Sequence, residues 1–300
     1  MRYLLKTLAR PPIFLLALAA VFGSLPVANA AGDEERFLNL VTAELRLSVS
    51  AATPGDTISA GVLFEVKPGW HIYWMNPGDS GLPTVVSWKF PEGVTVSPTR
   101  YPAPIKFMQP GAITGYGYED LLLLSSKVQL PTSLTVGAAV PFSATVRWLA
   151  CADVCVPGKS ELTGSIPIAH QTVPTHAELF KVWNGRVPAR AKLSPIAEDD
   201  AVPFTAQVRR APGSTPGSIL VTLALDWGIE PRGLDWFPAG YKTATVEQIK
   251  VTNSGKSSEV TFLVTPQTSD LKELESLLVF DDLSDTGGRR SAVSLFIPLQ

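Results

Sequence analysis

Cysteine is almost missing from this chain. Its 300 residues hold two, Cys151 and Cys155, so thiol chemistry is confined to one short segment with no third thiol to compete. Long apolar runs are missing beyond residue 30, where nothing approaches the ~20 residues of a membrane-spanning helix. Basic runs are missing as well, and the formal charge is −2. A mildly acidic chain without a Lys/Arg cluster is a poor nucleic-acid partner. Histidine occurs three times, with no Ser-His-Asp order, no glycine-rich phosphate loop and no His-x-Glu metal signature. These absences set aside triad hydrolases, nucleotide enzymes and zinc enzymes, and leave no organic cofactor or resident metal to expect. An alternation of strands with long helices is also lacking, which excludes a parallel α/β sheet.

What is present begins with an export signal. Residues 1–30 join a basic start (Arg2, Lys6, Arg10) to an apolar stretch from Ile13 to Phe22 and close on Ala28-Asn29-Ala30. That is the pattern of a cleaved secretory signal, and it predicts a periplasmic protein in a compartment where disulfides persist. Removing the three basic residues takes the formal charge to −5. The remaining chain, about 270 residues, is long enough for two domains.

The first half reads as β structure. Polar and apolar residues alternate in Glu44–Ser50, less strictly in Thr57–Val66, and without a break in Phe142–Trp148. Turn signals fall between these runs at Pro54-Gly-Asp, Lys67-Pro-Gly, Asn76-Pro-Gly-Asp-Ser-Gly and Pro91-Glu-Gly. Short strands with turns every 8–12 residues predict a β-sandwich. Near residue 170 the character changes. A short amphipathic helix is expected over His176–Trp183 with Thr175 as its cap, followed by a connector reaching Asp199-Asp200. Strands then resume at Thr205–Arg209, Ser218–Leu223, Thr245–Val251, Glu259–Val264 and Ala292–Ile297, with a second short helix expected from Asp270 on an Asp-x-x-Glu pattern. The expected layout is a signal at 1–30, a cysteine-bearing sandwich at 31–170, a helix and linker at 171–203, and a second sandwich at 204–300. The fold class is all-β.

The chemistry gathers around Trp148-Leu-Ala-Cys-Ala-Asp-Val-Cys-Val-Pro-Gly. The first cysteine ends a strand and the run from Gly158 returns, so the pair sits at a tight connection. A disulfide closing so small a loop stabilises by about 2 kcal/mol, against about 3 for a fifteen-residue loop. It is better suited to exchange than to holding a large core. Exchange requires an exposed sulfur that a thiolate can approach in line. Asp153, between the two, would disfavour a neighbouring thiolate and argues against a strongly oxidising pair. Three uses remain open: redox exchange, a hairpin staple in a non-catalytic binding module, and Cu(I) binding. Soft thiolates suit Cu(I), and Cys-x-x-x-Cys-x-Pro also resembles the copper site of Sco-type metallochaperones, which are built on a thioredoxin fold.

Cys151-Ala-Asp-Val-Cys-Val-Pro resembles the active-site segment of the amino-terminal periplasmic domain of DsbD-type protein-disulfide reductases, including the ScsB-like branch. Lys67-Pro-Gly-Trp-His-Ile-Tyr-Trp, Phe90-Pro-Glu-Gly-Val and Gly115-Tyr-Gly-Tyr-Glu-Asp are similar to that domain's successive segments, in the same order. The likeness covers roughly residues 36–170 and extends loosely over 171–300, as the second sandwich of longer members. It implies an immunoglobulin-like domain that passes electrons between thioredoxin-fold proteins, with Cys155 exchanging and Cys151 resolving. The spacing is shorter than in the best-known DsbD domain. The chain as read to Gln300 carries neither a membrane electron conduit of the DsbD/CcdA type nor a thioredoxin domain, so the resemblance implies that partners supply both. It also implies neighbours for the disulfide. His71 and Tyr73 share one face of their strand opposite Trp70, Ile72 and Trp74. Phe107, or else Met108, in the Pro-rich loop from Tyr101 would shield the pair as a cap, and Tyr118 and Glu119 would stand near it. Asp79 and Ser80 are expected in a turn, and His170 and His176 at the surface.

Overall fold

The computed structural model describes residues 39–192, 203–228, 230–240, 242–281 and 290–300. The expected export signal and the Asp199-Asp200 end of the connector lie outside them. Among the described residues there is one helix, and the rest of the regular structure is β. In chain order the first part holds β1 (Val41–Leu47), β2 (Val49–Ala51), β3 (Thr57–Val66), β4 (Ile72–Gly78), β5 (Val85–Lys89), β6 (Thr95–Val96), β7 (Ile105–Gln109), β8 (Ile113–Tyr118), β9 (Leu121–Gln129), β10 (Ala139–Cys151), β11 (Cys155–Pro167) and β12 (Val173–Pro174). After helix α1 (Ala177–Asn184) come β13 (Ala189–Lys192), β14 (Thr205–Pro212), β15 (Ile219–Asp226), β16 (Asp235–Pro238), β17 (Ala244–Ser254), β18 (Ser257–Pro266), β19 (Glu273–Asp281) and β20 (Arg290–Pro298).

The first part is an immunoglobulin-like sandwich. Sheet β1-β3-β9-β6 faces sheet β11-β10-β5, with antiparallel pairing throughout. In β10 the alternation seen in the sequence becomes burial: Val140, Phe142, Ala144 and Val146 point inward, while Pro141 and Arg147 stay exposed. Val140 and Phe142 meet Ile58, Ala60, Val128, Leu130 and Ile166 in one core. Each such side chain contributes about 1.5–3 kcal/mol on full burial, so a register slip that turned this set outward would be heavily penalised. A third small sheet, β4-β8-β7, stands beside the sandwich. At its corner Gly78 has φ +89°, and a Cβ there would lie 2.4 Å from the Thr114 carbonyl oxygen, so β4 leaves the sheet at a point only glycine fits.

The strands from β13 onward form a second sandwich. Sheets β13-β20-β19-β16 and β14-β15-β18-β17 close on a core that includes Val221, Leu223, Phe262, Leu278 and Leu295, with Trp236 stacked on Phe262 at 4.3 Å between ring centroids. Both sandwiches belong to one compact unit, Asn39–Gln300. No helix among the described residues is long and apolar enough to cross a membrane.

Several local expectations are corrected. Helix α1 starts at Ala177, and its cap position is His176 in left-handed conformation without a side-chain cap bond. Thr175 is drawn away because its amide donates to the Ser48 carbonyl at 2.9 Å. No helix starts at Asp270; β19 follows instead. Leu274, Leu277 and Leu278 imitate helical spacing, but they belong to a central strand paired with β20 and β16, and buried central strands lose their alternation. Ala189–Lys192, expected in the connector, is a strand parallel to β20.

Candidate functional site

The site is built from the β10–β11 hairpin. Its ladder runs unbroken from Ala139↔Pro167 to Cys151↔Cys155, and the cysteines form the last pair before the turn. The return strand therefore begins at Cys155 itself, three residues before the expected Gly158. The turn is three residues, Ala152-Asp153-Val154, closed by an Ala152 amide donating to the Val154 carbonyl at 3.0 Å. The two sulfurs are bonded at 2.04 Å with the Cα atoms 4.1 Å apart. Their surroundings differ sharply. Cys151 is 0% exposed, whereas Cys155 is on the exposed side of the turn with Asp153 and Val154. A reagent in solution meets Cys155 first.

The buried Cys151 is paired through its backbone with a second strand. The His71 amide donates to the Cys151 carbonyl at 3.0 Å, and the Cys151 amide donates back to the His71 carbonyl at 2.9 Å. That bridge ties the start of β4 to the end of β10. His71 and Tyr73 share a face, as their spacing predicts, with rings 5.2 Å apart edge to face. Phe107 lies on the His71 ring at 4.0 Å and 5.9 Å from Tyr73. Gln109, two residues on and on the same face, brings its amide nitrogen to 3.3 Å from His71 Nε2 and donates to the Tyr73 hydroxyl at 2.9 Å. Ser80 completes the cluster by donating to Gln109 Oε1 at 2.8 Å. Burial of the imidazole lowers the His71 pKa and keeps the ring neutral, leaving Nε2 free to accept from Gln109.

Phe107 is not in a loop. It lies in β7, which forms a hairpin with β8, and only Tyr101–Pro104 of the Pro-rich segment lacks regular structure. Its ring covers Gly115, its cross-strand partner, where a Cβ would be 2.1 Å from Phe107 Cε2. Gly115-Tyr-Gly-Tyr is thus the body of β8, and its glycines leave room for the aromatic layer.

The other expected neighbours part company. Trp70 is half-buried, while Ile72 and Trp74 are buried on the face opposite His71 and Tyr73. Tyr118 is buried, its hydroxyl donating to the Pro102 carbonyl at 2.8 Å, so it anchors the Pro-rich segment. Burial first, then Tyr101, pushes its pKa well above the ordinary tyrosine range. Glu119 is exposed beyond the end of β8, and Met108 is 64% exposed on the opposite face of β7 from Phe107. Asp79 and Ser80 do form a turn, and Asp79 accepts from the Thr114 amide at 2.8 Å. His170 and His176 are exposed. Gln109 and Ser80 were not anticipated. Gln109 could have been found by period two from Phe107, had the prolines at 102 and 104 not disguised the strand. Among the described residues, no three His, Cys, Asp or Glu side chains converge as a metal site would require.

These features define a class: an immunoglobulin-like domain that presents a disulfide at a hairpin tip, one sulfur buried and one exposed, beside an aromatic cluster. Residues 37–167 match the family described as thiol:disulfide interchange protein DsbD, N-terminal. Among solved structures, the chain is similar to the N-terminal periplasmic domain of ScsB from Proteus mirabilis, with 17% identity over 86% of this chain and 92% of that one and a TM-score of 0.56. That likeness spans both sandwiches and supports the fold. The DsbD N-terminal domain of Neisseria meningitidis in its reduced form aligns at 18% identity over 44% of this chain and 89% of its own, with a TM-score of 0.25. No match is found among curated proteins.

Proposed function

We propose that this chain is a periplasmic thiol–disulfide interchange protein. Cys155 exchanges with thioredoxin-fold partners, Cys151 resolves, and Phe107 with His71 and Tyr73 caps the pair. The observation that carries this reading is the asymmetry of the pair: Cys151 is buried, its backbone bridged to His71, while Cys155 is exposed. Attack at a disulfide needs access to one sulfur only, and the exposed one is the second of the pair.

To load the domain, a partner thiolate attacks Cys155 Sγ. The Cys151–Cys155 bond breaks, the mixed disulfide forms, and Cys151 leaves as a thiolate that takes up a proton. The partner's second thiolate then attacks its own sulfur in the mixed disulfide and releases Cys155. Two electrons and two protons have moved, the partner is oxidised and the pair reduced. Delivery runs in reverse: Cys155 attacks an oxidised partner and Cys151 closes on Cys155. Residues 1–30 would direct export, and a membrane electron conduit of the DsbD/CcdA type or a thioredoxin-like protein would supply electrons. Residues 31–170 would form the redox domain and 204–300 a second domain, joined by 171–203. The Cu(I) reading loses its scaffold, because the Sco-type site belongs to a thioredoxin fold and this motif is on a β-hairpin.

Replacing Cys155 with Ser is expected to abolish exchange with a thioredoxin-fold protein, and Cys151→Ser to accumulate a mixed disulfide with it. Undiminished turnover in the Cys155→Ser protein would sink the proposal. The reduction potential should fall within roughly −120 to −270 mV, the range of exchange proteins, and a value below about −300 mV would mark a staple.

A further inference from the structure

The small sheet β4-β8-β7 has two faces, and only one looks toward the disulfide hairpin's neighbours. Period two places His71, Tyr73, Phe107 and Gln109 on that face, together with Gly115. The opposite face carries Trp74, Lys106 and Tyr116, and it rests on β16 of the second sandwich. Phe237 of β16 is 0% exposed. It takes the Trp74 ring edge to face at 6.1 Å and the Tyr116 ring at 5.1 Å. The Lys106 ammonium is 5.3 Å from the Phe237 ring centroid and 3.3 Å from Asp235 Oδ1. The Asn76 side-chain amide donates to the Pro238 carbonyl. Asp235 is itself held by Arg290 at 3.0 Å. Burial, with Asp79 and Asp235 adding, pushes the Tyr116 phenol up to about 12, so its ring stays neutral in this contact.

A small sheet needs a packed face to hold its shape in water. Within its sheet β7 is an edge strand, held on one side only by β8, and Lys106 and Tyr116, which touch β16, are the chain neighbours of Phe107 and Gly115 on the other face. We propose that Phe237 is a positioning residue: through it the second sandwich braces the β7–β8 hairpin from behind, keeps Phe107 seated on His71, and sets how readily small thiols reach the Cys151–Cys155 disulfide. The inference rests on the reading that Phe107 caps an exchanging pair, and it assigns a task to residues 235–238 beyond separating domains.

The test uses the oxidised full chain and glutathione as a small thiol unlike any thioredoxin-fold partner, following the rate of disulfide reduction. Phe107→Ala and Phe237→Ala are each expected to accelerate reduction roughly ten-fold, the equivalent of about 1.4 kcal/mol less cap closure. The double variant should be no faster than Phe107→Ala alone, because both act through one closure. Phe237→Leu should restore most of the slow rate. Hydrogen exchange at β7–β8 amides should rise in Phe237→Ala and not at β10–β11. A folded Phe237→Ala protein reduced at the wild-type rate, beside an accelerated Phe107→Ala, overturns the brace. If Phe237→Ala fails to fold, Lys106→Gln keeps Phe237 in place and should accelerate reduction about two-fold; a wild-type rate there overturns the proposal equally. Failure of wild-type protein to exchange with a thioredoxin-fold protein strikes the functional reading instead, and leaves the glutathione comparison readable.

Discussion

At the scale of single residues, the disulfide and His71 act together. The histidine fixes Cys151 through its backbone and carries Phe107 on its ring. Its side chain is enclosed by neutral groups, Tyr73, Phe107 and Gln109, so burial holds the imidazole below its ordinary value of 6.5. The consequence for stability has a definite sign. Above 6.5 neither state is protonated at this position and the shift has no effect. As pH falls through 6.5 toward the lower folded value, the unfolded chain takes up a proton that the folded chain refuses, and stability declines with pH across that window. The urea midpoint is therefore expected to drop between about pH 7.5 and pH 5.5, and His71→Gln should flatten that part of the profile. An equally steep slope in His71→Gln would assign the pH dependence to other groups. Acid should also loosen Phe107, since a charged imidazole beneath its ring recovers solvation by moving outward.

At the scale of elements, the two hairpins behave differently. The β10–β11 hairpin is paired along thirteen positions of each strand and packs into the first core, so its shape does not depend on its disulfide. The β7–β8 hairpin is short and depends on what lies on either side. Gly115 is its sensitive point, because the Phe107 ring occupies the volume a side chain would need. Gly115→Ala should displace the ring while leaving the strand paired, at about 1 kcal/mol or somewhat more in stability. Faster glutathione reduction in that variant is the expected readout, and an unchanged rate would show that the seat on Gly115 does not control access. The strand at Thr57–Val66 was legible with its ends correct despite its loose alternation, because Pro54-Gly-Asp and Lys67-Pro-Gly mark a turn on either side. The strand at Ile105–Gln109 was not, because prolines at 102 and 104 resemble a loop and its alternation spans only five residues. Glu273–Asp281 was misread for the opposite reason, since burial on both faces erased the period that distinguishes strand from helix.

At the scale of the whole molecule, two separate cores meet where β16 touches β4, β7 and β8. Destabilising the second sandwich and releasing the cap should then be separable. Phe262 stacks on Trp236 within the second core, with no ring contact to the cap sheet among those described. Phe262→Ala is expected to cost about 3–5 kcal/mol, lowering the denaturation midpoint, yet in molecules still folded it should leave glutathione reduction at the wild-type rate. Acceleration equal to that of Phe237→Ala would mean that the access rate follows global stability and not the contact at β16.

By itself the sequence determined the compartment to expect, the all-β class, the cysteine pair at a tight connection between strands, and a resemblance over the segment where the family model matches, residues 37–167. Each of these is written locally, in alternation, turn residues and a four-residue separation of cysteines, so a linear reading recovers it. Tertiary structure alone decided which cysteine is buried, and it bridges Cys151 to His71 across eighty positions of chain. It also decided that Gln109 and Ser80 join the cluster, and that Phe237 lies behind Lys106 and Tyr116. Contacts of that kind arise when separately patterned faces are buried against one another. The pattern of each face was legible, but the choice of partner was made by packing.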